Sequence, residues 1–318
     1  MRAVSSTKKE VPLLIVNRNA GRFRRSTDLA DRLSRELSSA AEVIPTRTPE
    51  DLEHAAFRAM EAPRPAVVLC GGDGTYLACV TALVRVSDGR PLPPIVLAPG
   101  GTVSIVAKNW GTTDDLVRIV RRAALRPETF RVRHRPTLDV EDDRGRRFVG
   151  FTFGTGLVAR FFAEYERHGA GGNGTALRIV LRTFVASLSG GDYARTILDP
   201  LECRLSVDGR ALPPTSYSLV VSSVLRDVGL HMLVTHRGGE DARRPHLVAS
   251  PLSPGRLGPQ WPRVALGRPL AGAGNFDGLV ESFSVDFAAA DGPYVLDGDA
   301  FRAKRVTVRG GPTIPIAS

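Results

Sequence analysis

Ala66-Val67-Val68-Leu69-Cys70-Gly71-Gly72-Asp73-Gly74-Thr75 is the stretch whose reading decides the fold. Five apolar residues run straight into a glycine turn, and Tyr76 to Val86 then reads as a helix. Strand, glycine turn and helix together make a phosphate-binding arrangement. Glycines let the backbone approach an anion with no Cβ in the way, and a helix start offers free N–H groups and partial positive charge. An aspartate inside such a turn would repel phosphate on its own. It makes sense when a divalent cation sits between Asp73 and the phosphates.

Working outward, the first third of the chain alternates strand and helix. Val11 to Val16, Ala41 to Thr46, Ala66 to Cys70 and Pro94 to Ala98 read as strands. Asp28 to Ser38, Pro49 to Met60 and Asp114 to Leu125 carry apolar residues at helical spacing, as in Leu29, Leu33 and Leu37. Strands separated by helices imply βαβ units and a parallel sheet. Glycine-containing turns follow three of these strands: Asn17-Arg18-Asn19-Ala20-Gly21, Gly71 to Thr75, and Pro99-Gly100-Gly101-Thr102. Loops at the C-terminal edge of an open α/β sheet converge on one crevice, so the three turns should share a ligand.

After about Arg131 the pattern changes to short runs of period two, which read as antiparallel strands: 137–141, 147–153, 203–207, 217–224, 230–235, 282–287 and 293–296. One helix is expected over Thr175 to Ser189, preceded by a glycine-rich loop at Gly169 to Gly174. The expected fold class is an α/β N-terminal domain with a parallel sheet plus a β-sandwich second domain, with a cleft between them.

The 318 residues suit two domains. There is no apolar run long enough for a membrane span, and the polar Met1 to Glu10 gives no signal-peptide pattern, so a cytoplasmic protein is expected. Cys70, Cys79 and Cys203 form neither a disulfide framework nor a metal spacing, and the six histidines show no metal spacing either. The net charge of +10 includes an arginine cluster at Arg118, Arg121, Arg122, Arg126, Arg131, Arg133 and Arg135. It reads either as solvated surface or as attraction to an anionic membrane. Low aromatic content and the lack of any nucleic-acid motif argue against nucleic acid as a partner. Monomer and homodimer both stay open.

These motifs resemble the lipid kinases of the diacylglycerol kinase and sphingosine/ceramide kinase family. That family carries an Asn-Pro-x-(Ser/Ala)-Gly turn, a Gly-Gly-Asp-Gly-Thr loop, a Pro-x-Gly-Thr turn and, near the C-terminus, Asp-Gly-Glu. This chain has Asn17 to Gly21, Gly71 to Thr75, Pro99 to Thr102, and Asp297-Gly298-Asp299 in the same order. The resemblance implies a nucleotide-binding α/β domain over 1–132, rejoined by a C-terminal tail at 303–318, and a β-rich lipid-substrate domain over 133–302. It implies ATP and Mg2+, with Asp73 organising metal and phosphate. Gly71, Gly72, Gly74 and Thr75 would line the triphosphate, Asn17, Gly101, Thr102 and Ser104 would contact nucleotide, and Arg22 and Arg24 would neutralise phosphate. Asp297 would be the general base. The substrate would be a neutral lipid with a primary hydroxyl, such as ceramide, a long-chain base or diacylglycerol, lined by Phe151, Phe153, Phe161 and Phe162. Such a protein would be a cytoplasmic enzyme that associates peripherally with anionic membrane.

The sequence also departs from the family pattern. Where the family often continues Gly-Thr-x-Asn-Asp, this chain has Val103-Ser104-Ile105, and Ile105 cannot bind a metal. The glutamate usual on the helix after the glycine loop is also missing, its region being Leu77-Ala78-Cys79-Val80. Two alternatives follow. One is NAD kinase, which shares the glycine loop; the other is a degenerate nucleotide- or lipid-binding regulator. Asp297-Gly298 also reads as a plain turn. Gly154 to Ala159 fits a GxGxxA pattern, but no second parallel strand bearing an acid follows it.

Overall fold

The computed structural model describes residues 11–101, 103–112, 114–167, 199–288 and 291–318. The expected helix at 175–189 and the glycine-rich loop at 169–174 lie outside the described residues, as does Thr102.

The first domain is built on strands β1 (Leu13–Asn17), β2 (Glu42–Thr46), β3 (Val67–Gly71), β4 (Ile95–Pro99) and β5 (Val132–Arg135). Its sheet has the order β2-β1-β3-β4-β19-β5, where β19 is the C-terminal strand Ile314–Ala317. β1 to β4 pair in parallel. β19 joins parallel to β4 and antiparallel to β5. The strands are apolar on both faces because both are covered. Leu14, Val16, Val68, Cys70, Val96 and Ala98 meet helices α2 (Leu29–Leu37) and α6 (Leu116–Leu125). Leu13, Ile15, Val67, Leu69, Ile95 and Leu97 meet α3 (Pro49–Met60) and α4 (Asp73–Ser87). Two short helices, α1 (Gly21–Arg25) and α5 (Ile105–Asn109), follow the first and third glycine turns.

The second domain is a pair of antiparallel sheets. One runs β10-β9-β15-β18-β6-β7 and the other β14-β13-β12-β8-β16-β17. The first contains β6 (Leu138–Asp142), β7 (Arg147–Gly150), β9 (Leu201–Val207), β10 (Arg210–Ala211), β15 (Ser282–Phe287) and β18 (Arg305–Gly310), with β11 (Ser216–Tyr217) beside β9. The second contains β8 (Thr152–Gly156), β12 (Leu219–Ser223), β13 (His246–Ser250), β14 (Phe276–Leu279), β16 (Gly292–Leu296) and β17 (Asp299–Ala303). The chain therefore pairs 305–310 into the second domain and 314–317 into the first, crossing between them at Gly310-Gly311.

The two domains share α4. Its buried face carries Tyr76, Leu77, Val80 and Leu83 into a core continuous with Val149, Phe151 and Phe153. Thr81 Oγ1 accepts from the Val149 N–H at 2.9 Å. The helix that begins at the glycine loop is thus clamped by both domains.

Two local expectations are corrected. Residues 147–153 are not one strand: the chain changes sheets at Phe151, so β7 and β8 belong to different layers. Residues 230–235 are not a strand, because Gly229, Leu230 and His231 have φ of +108°, +54° and +57°. Three successive left-handed residues turn the chain and cannot extend it.

Candidate active site

The three glycine turns meet at the C-terminal edge of the parallel sheet. The N–H groups of Gly100 and Gly101 both donate to the Gly71 carbonyl, at 2.7 and 3.1 Å, and Arg22 N–H donates to the Gly100 carbonyl at 3.0 Å. Gly72 and Gly101 face each other so closely that a Cβ on Gly72 would lie 3.0 Å from the Gly101 Cα. Asn17 Nδ2 donates to Thr75 Oγ1 at 2.8 Å, and Thr75 Oγ1 accepts from the Gly72 N–H at 3.3 Å. Asn17 and Thr75 therefore lock the first turn onto the second. Arg22 is engaged with Asp115, the N-cap of α6, and Arg24 is exposed.

Asp73 begins α4 and reaches across to the third turn. Its carboxylate accepts from the N–H groups of Ile105 at 2.9 Å and Val106 at 3.0 Å. It thus caps α5, whose own N-cap, Ser104, sits at φ +53° and provides no side-chain cap. Burial pushes the Asp73 carboxyl up, and the two N–H donors and Lys108 pull it back. Ser104 Oγ is buried without a hydrogen-bond partner among the described residues. Ile105 gives its N–H to Asp73 and turns its side chain toward the second domain, where a Cβ on Gly229 would lie 2.9 Å from Ile105 Cδ1. The residue standing where the family carries an acid is therefore a piece of apolar wall.

Asp297 comes from the other domain. Asp297-Gly298 is the two-residue turn of the β16–β17 hairpin, with φ of +47° and +94°. That is the left-handed pair for which Asp-Gly is selected. The plain-turn reading is correct as far as the backbone goes. The side chain, however, points inward to the corner where the chain changes sheets, and it accepts from the N–H groups of Phe151 at 3.0 Å and Thr152 at 2.8 Å. Those groups are released from ladder pairing by the change of sheet, so Asp297 satisfies donors that would otherwise be buried unpaired. Burial drives its carboxyl well above the usual aspartate range, and the charges of Asp73 and Asp299 push it further up.

Two positions escaped the sequence reading. Asp299 lies over the start of α4, where a Cβ on Gly74 would come within 2.8 Å of Asp299 Oδ2. A Cβ at Gly74 would push the Asp299 carboxylate out of this position, and the Asp-Gly-Glu pattern held the clue. Gly150 lies against the base: a Cβ there would be 2.6 Å from Asp297 Oδ2 and 2.9 Å from Leu77 Cδ1.

Asp73, Gly74, Thr152, Asp297 and Asp299 form one end of a cavity of about 410 Å³ that runs into the second domain. Its remaining wall is almost wholly apolar. Helix α7 (Leu157–Arg167) supplies Leu157, Val158, Phe161 and Phe162, and β12 supplies Leu219 and Val221. Leu230 and Met232 come from the left-handed turn. The far end is closed by α8 (Pro254–Leu257) and α9 (Trp261–Ala265) through Leu257, Trp261 and Val264. Of the four phenylalanines expected at a lipid site, Phe161 and Phe162 line the cavity. Phe151 and Phe153 do not: they are fully buried core residues, packed edge-on against Trp110 and Phe283.

His236, His246 and Asp277 also gather away from this site. His246 Nδ1 accepts from the Arg237 N–H at 3.3 Å, so Nε2 carries the ring proton and donates it to Asp277 at 2.8 Å. That tautomer ties β13 to β14 and leaves His246 no lone pair for a metal. The three cysteines are buried; burial raises their thiols, that of Cys79 to about 12, which makes them inert.

Residues 12–131 match the diacylglycerol kinase catalytic domain family. No curated protein sequence matches the chain. Among solved structures, a diacylglycerol kinase from Bacillus anthracis superposes with a TM-score of 0.61 at 13% identity, covering 98% of this chain and 97% of that one. A second protein from the same organism, provisionally described as a diacylglycerol kinase, gives 0.66 at 16% identity over 98% and 97%. At such identities the likeness is one of fold.

Proposed function

We propose that the chain transfers the γ-phosphoryl group of ATP to a primary hydroxyl of a neutral lipid whose hydrocarbon lies in the second-domain cavity. The observation that carries this reading is the form of the cavity, an apolar chamber whose single polar end is the Asp73–Asp297–Asp299 corner at the glycine loop. Hydrocarbon gains about 0.8 kcal/mol per buried methylene, which supports burial of a long chain with the hydroxyl left at the polar end. An NAD acceptor has no hydrocarbon with which to fill such a wall, which disfavours the NAD kinase alternative.

Asp297 acts as general base. Its Oδ takes the hydroxyl proton as the hydroxyl oxygen bonds to the γ-phosphorus, while the bond from that phosphorus to the β-bridging oxygen breaks and ADP leaves with the electron pair. The Phe151 and Thr152 N–H groups orient the carboxylate and burial raises its basicity. The N–H groups at the start of α4 bind phosphate, while the glycine-turn N–H groups are spent on holding the turns together, with Asn17 and Thr75 fixing the first turn to the second. The donor set suits Mg2+: Asp73 and Asp299 are hard oxygen ligands, and their mutual repulsion with Asp297 marks a place where a cation is favourable. Bound there, Mg2+ would supply charge neutralisation on the phosphates. Loss of the acid at Ile105 is offset by Asp299, which opposes the reading as a degenerate regulator.

Transfer of label from γ-labelled ATP to a panel of ceramide, sphingosine, diacylglycerol and monoacylglycerol tests the proposal. At least one lipid should be phosphorylated with an absolute requirement for Mg2+. ATP binding without turnover on any of the panel would sink it.

A further inference from the structure

We infer that the outer face of the α8–α9 segment, residues 254–268, is the surface by which this protein docks on an anionic lipid membrane. The inference rests on the lipid kinase reading, because the same segment closes the cavity proposed to hold the substrate chain.

Leu257, Trp261 and Val264 turn inward and line the cavity. The opposite face exposes Arg256, Arg263 and Arg268, together with Leu266 at 66% exposure, the highest of any exposed large apolar residue described. An exposed leucine flanked in sequence by exposed arginines matches an interfacial surface, with leucine entering the acyl boundary and guanidinium groups on headgroup phosphates.

The charge complementarity is local. No Asp or Glu occurs between residues 242 and 276. None of Arg256, Arg263 and Arg268 forms an ion pair with a described residue. The arginine cluster that stands out in the sequence is different: Arg118 pairs with Asp114, Arg121 with Glu36, and Arg122 bonds Thr129 and covers Phe130. Those three cations are engaged within the fold, whereas Arg126, Arg131 and Arg133 of the same cluster are exposed and form no ion pair with a described residue. The face is also continuous with the chamber, since Gly258, Trp261 and Leu270 line the cavity and are still partly exposed. The wall between membrane and substrate chamber is one side chain thick here, so docking this face would present the chamber directly to the bilayer.

Sedimentation with phosphatidylcholine vesicles, with and without phosphatidylserine, reads this directly. The wild-type chain should bind the anionic vesicles and be released by salt. With each surface arginine adding favourable energy near such a membrane, R256Q/R268Q should weaken binding on the order of tenfold or more. This double variant leaves in place the Arg263 Nε bond to the Pro269 carbonyl at 3.1 Å, which braces the segment. Leu266→Ser should weaken binding to both kinds of vesicle, and Arg118→Gln should leave it unchanged. Phosphorylation of a short-chain, water-dispersed lipid should be unaffected in R256Q/R268Q, whereas activity on anionic vesicles falls. Equal wild-type binding to neutral and anionic vesicles, or wild-type affinity in both 254–268 variants, would overturn the inference. Failure to phosphorylate any short-chain lipid would instead strike the kinase reading, because vesicle binding is measured without turnover.

Discussion

The glycine-turn edge and the apolar cavity meet at Asp297 but are built by opposite means. At the edge, short-range backbone bonds hold three loops together, and the close approach of Gly72 to Gly101 leaves no room for a Cβ on either. In the cavity the wall is side-chain bulk from α7, β12, the 228–234 turn and α8–α9, where many apolar residues would serve. The edge thus sets the chemistry within narrow geometric limits. The cavity sets the choice of substrate through volume and solvent exclusion, which tolerate variation.

Substitution of the residue common to both regions should have the largest effect. Asp297→Asn keeps an acceptor for the Phe151 and Thr152 N–H groups but cannot take the hydroxyl proton. Turnover should fall about a thousandfold, with the far-ultraviolet circular dichroism spectrum unchanged. Turnover within tenfold of wild type would remove the base from Asp297. Asp73→Asn should also be severe, but less clean: Asp73 caps α5, and loss of a charged cap costs about 1 kcal/mol of stability, readable as a lower melting temperature.

The next effect should separate the two regions. Met232→Trp adds bulk to the cavity wall far from the phosphate edge. The KM for a long-chain lipid should rise by a factor of about ten or more, with the KM for ATP unchanged. A parallel rise in both constants would mean that the two regions do not act separately. Asn17→Ala makes the converse test. It removes the 2.8 Å bond to Thr75 Oγ1 and frees the first turn from the second. A hydrogen bond of this kind contributes about 1 kcal/mol, so the KM for ATP should rise about fivefold and that for lipid should not move.

The same contrast decided what could be read in the sequence. Gly71 to Thr75, Asn17 and Asp297 were legible because each is demanded by local geometry: close approach, a left-handed turn, a helix start. The parallel strands were legible because both faces are covered and their residues are uniformly apolar. α7 was missed because its start, Leu157 to Ala159, lies inside the GxGxxA pattern of Gly154 to Ala159, which drew the reading toward a turn although Leu157, Val158, Phe161 and Tyr165 recur at helical spacing. The segment 230–235 read as a strand because Leu230, Met232 and Val234 alternate, yet they alternate around a turn in order to face the cavity. Phe151 and Phe153 were assigned to substrate because aromatic residues suit both a core and a pocket; only the change of sheets at Phe151 shows which. Asp299 was overlooked because its position over Gly74 depends on two domains meeting.

The smallest effect should appear in the pH profile, where the two regions act on one proton. Burial, which the apolar cavity helps to maintain, is the main reason that the Asp297 carboxyl is raised, and the Asp73 and Asp299 charges at the edge add to it. The base must be ionised, so kcat/KM should climb with pH through an ionisation well above the ordinary aspartate range and then level off. Asp299→Asn removes one of the neighbouring charges, and the limb should shift to lower pH. Stability should show the complementary trend. Because the folded state holds this proton more tightly than the unfolded chain does, the contribution is greatest at low pH. It is lost as pH rises from the ordinary aspartate range toward the folded value. The melting temperature of the ligand-free protein should therefore decline over that window, less steeply in Asp299→Asn and least steeply in Asp297→Asn, where only the raised Asp73 carboxyl remains. An acid limb that stays in place in Asp299→Asn would show that the Asp299 charge does not reach the base, which burial and Asp73 then set.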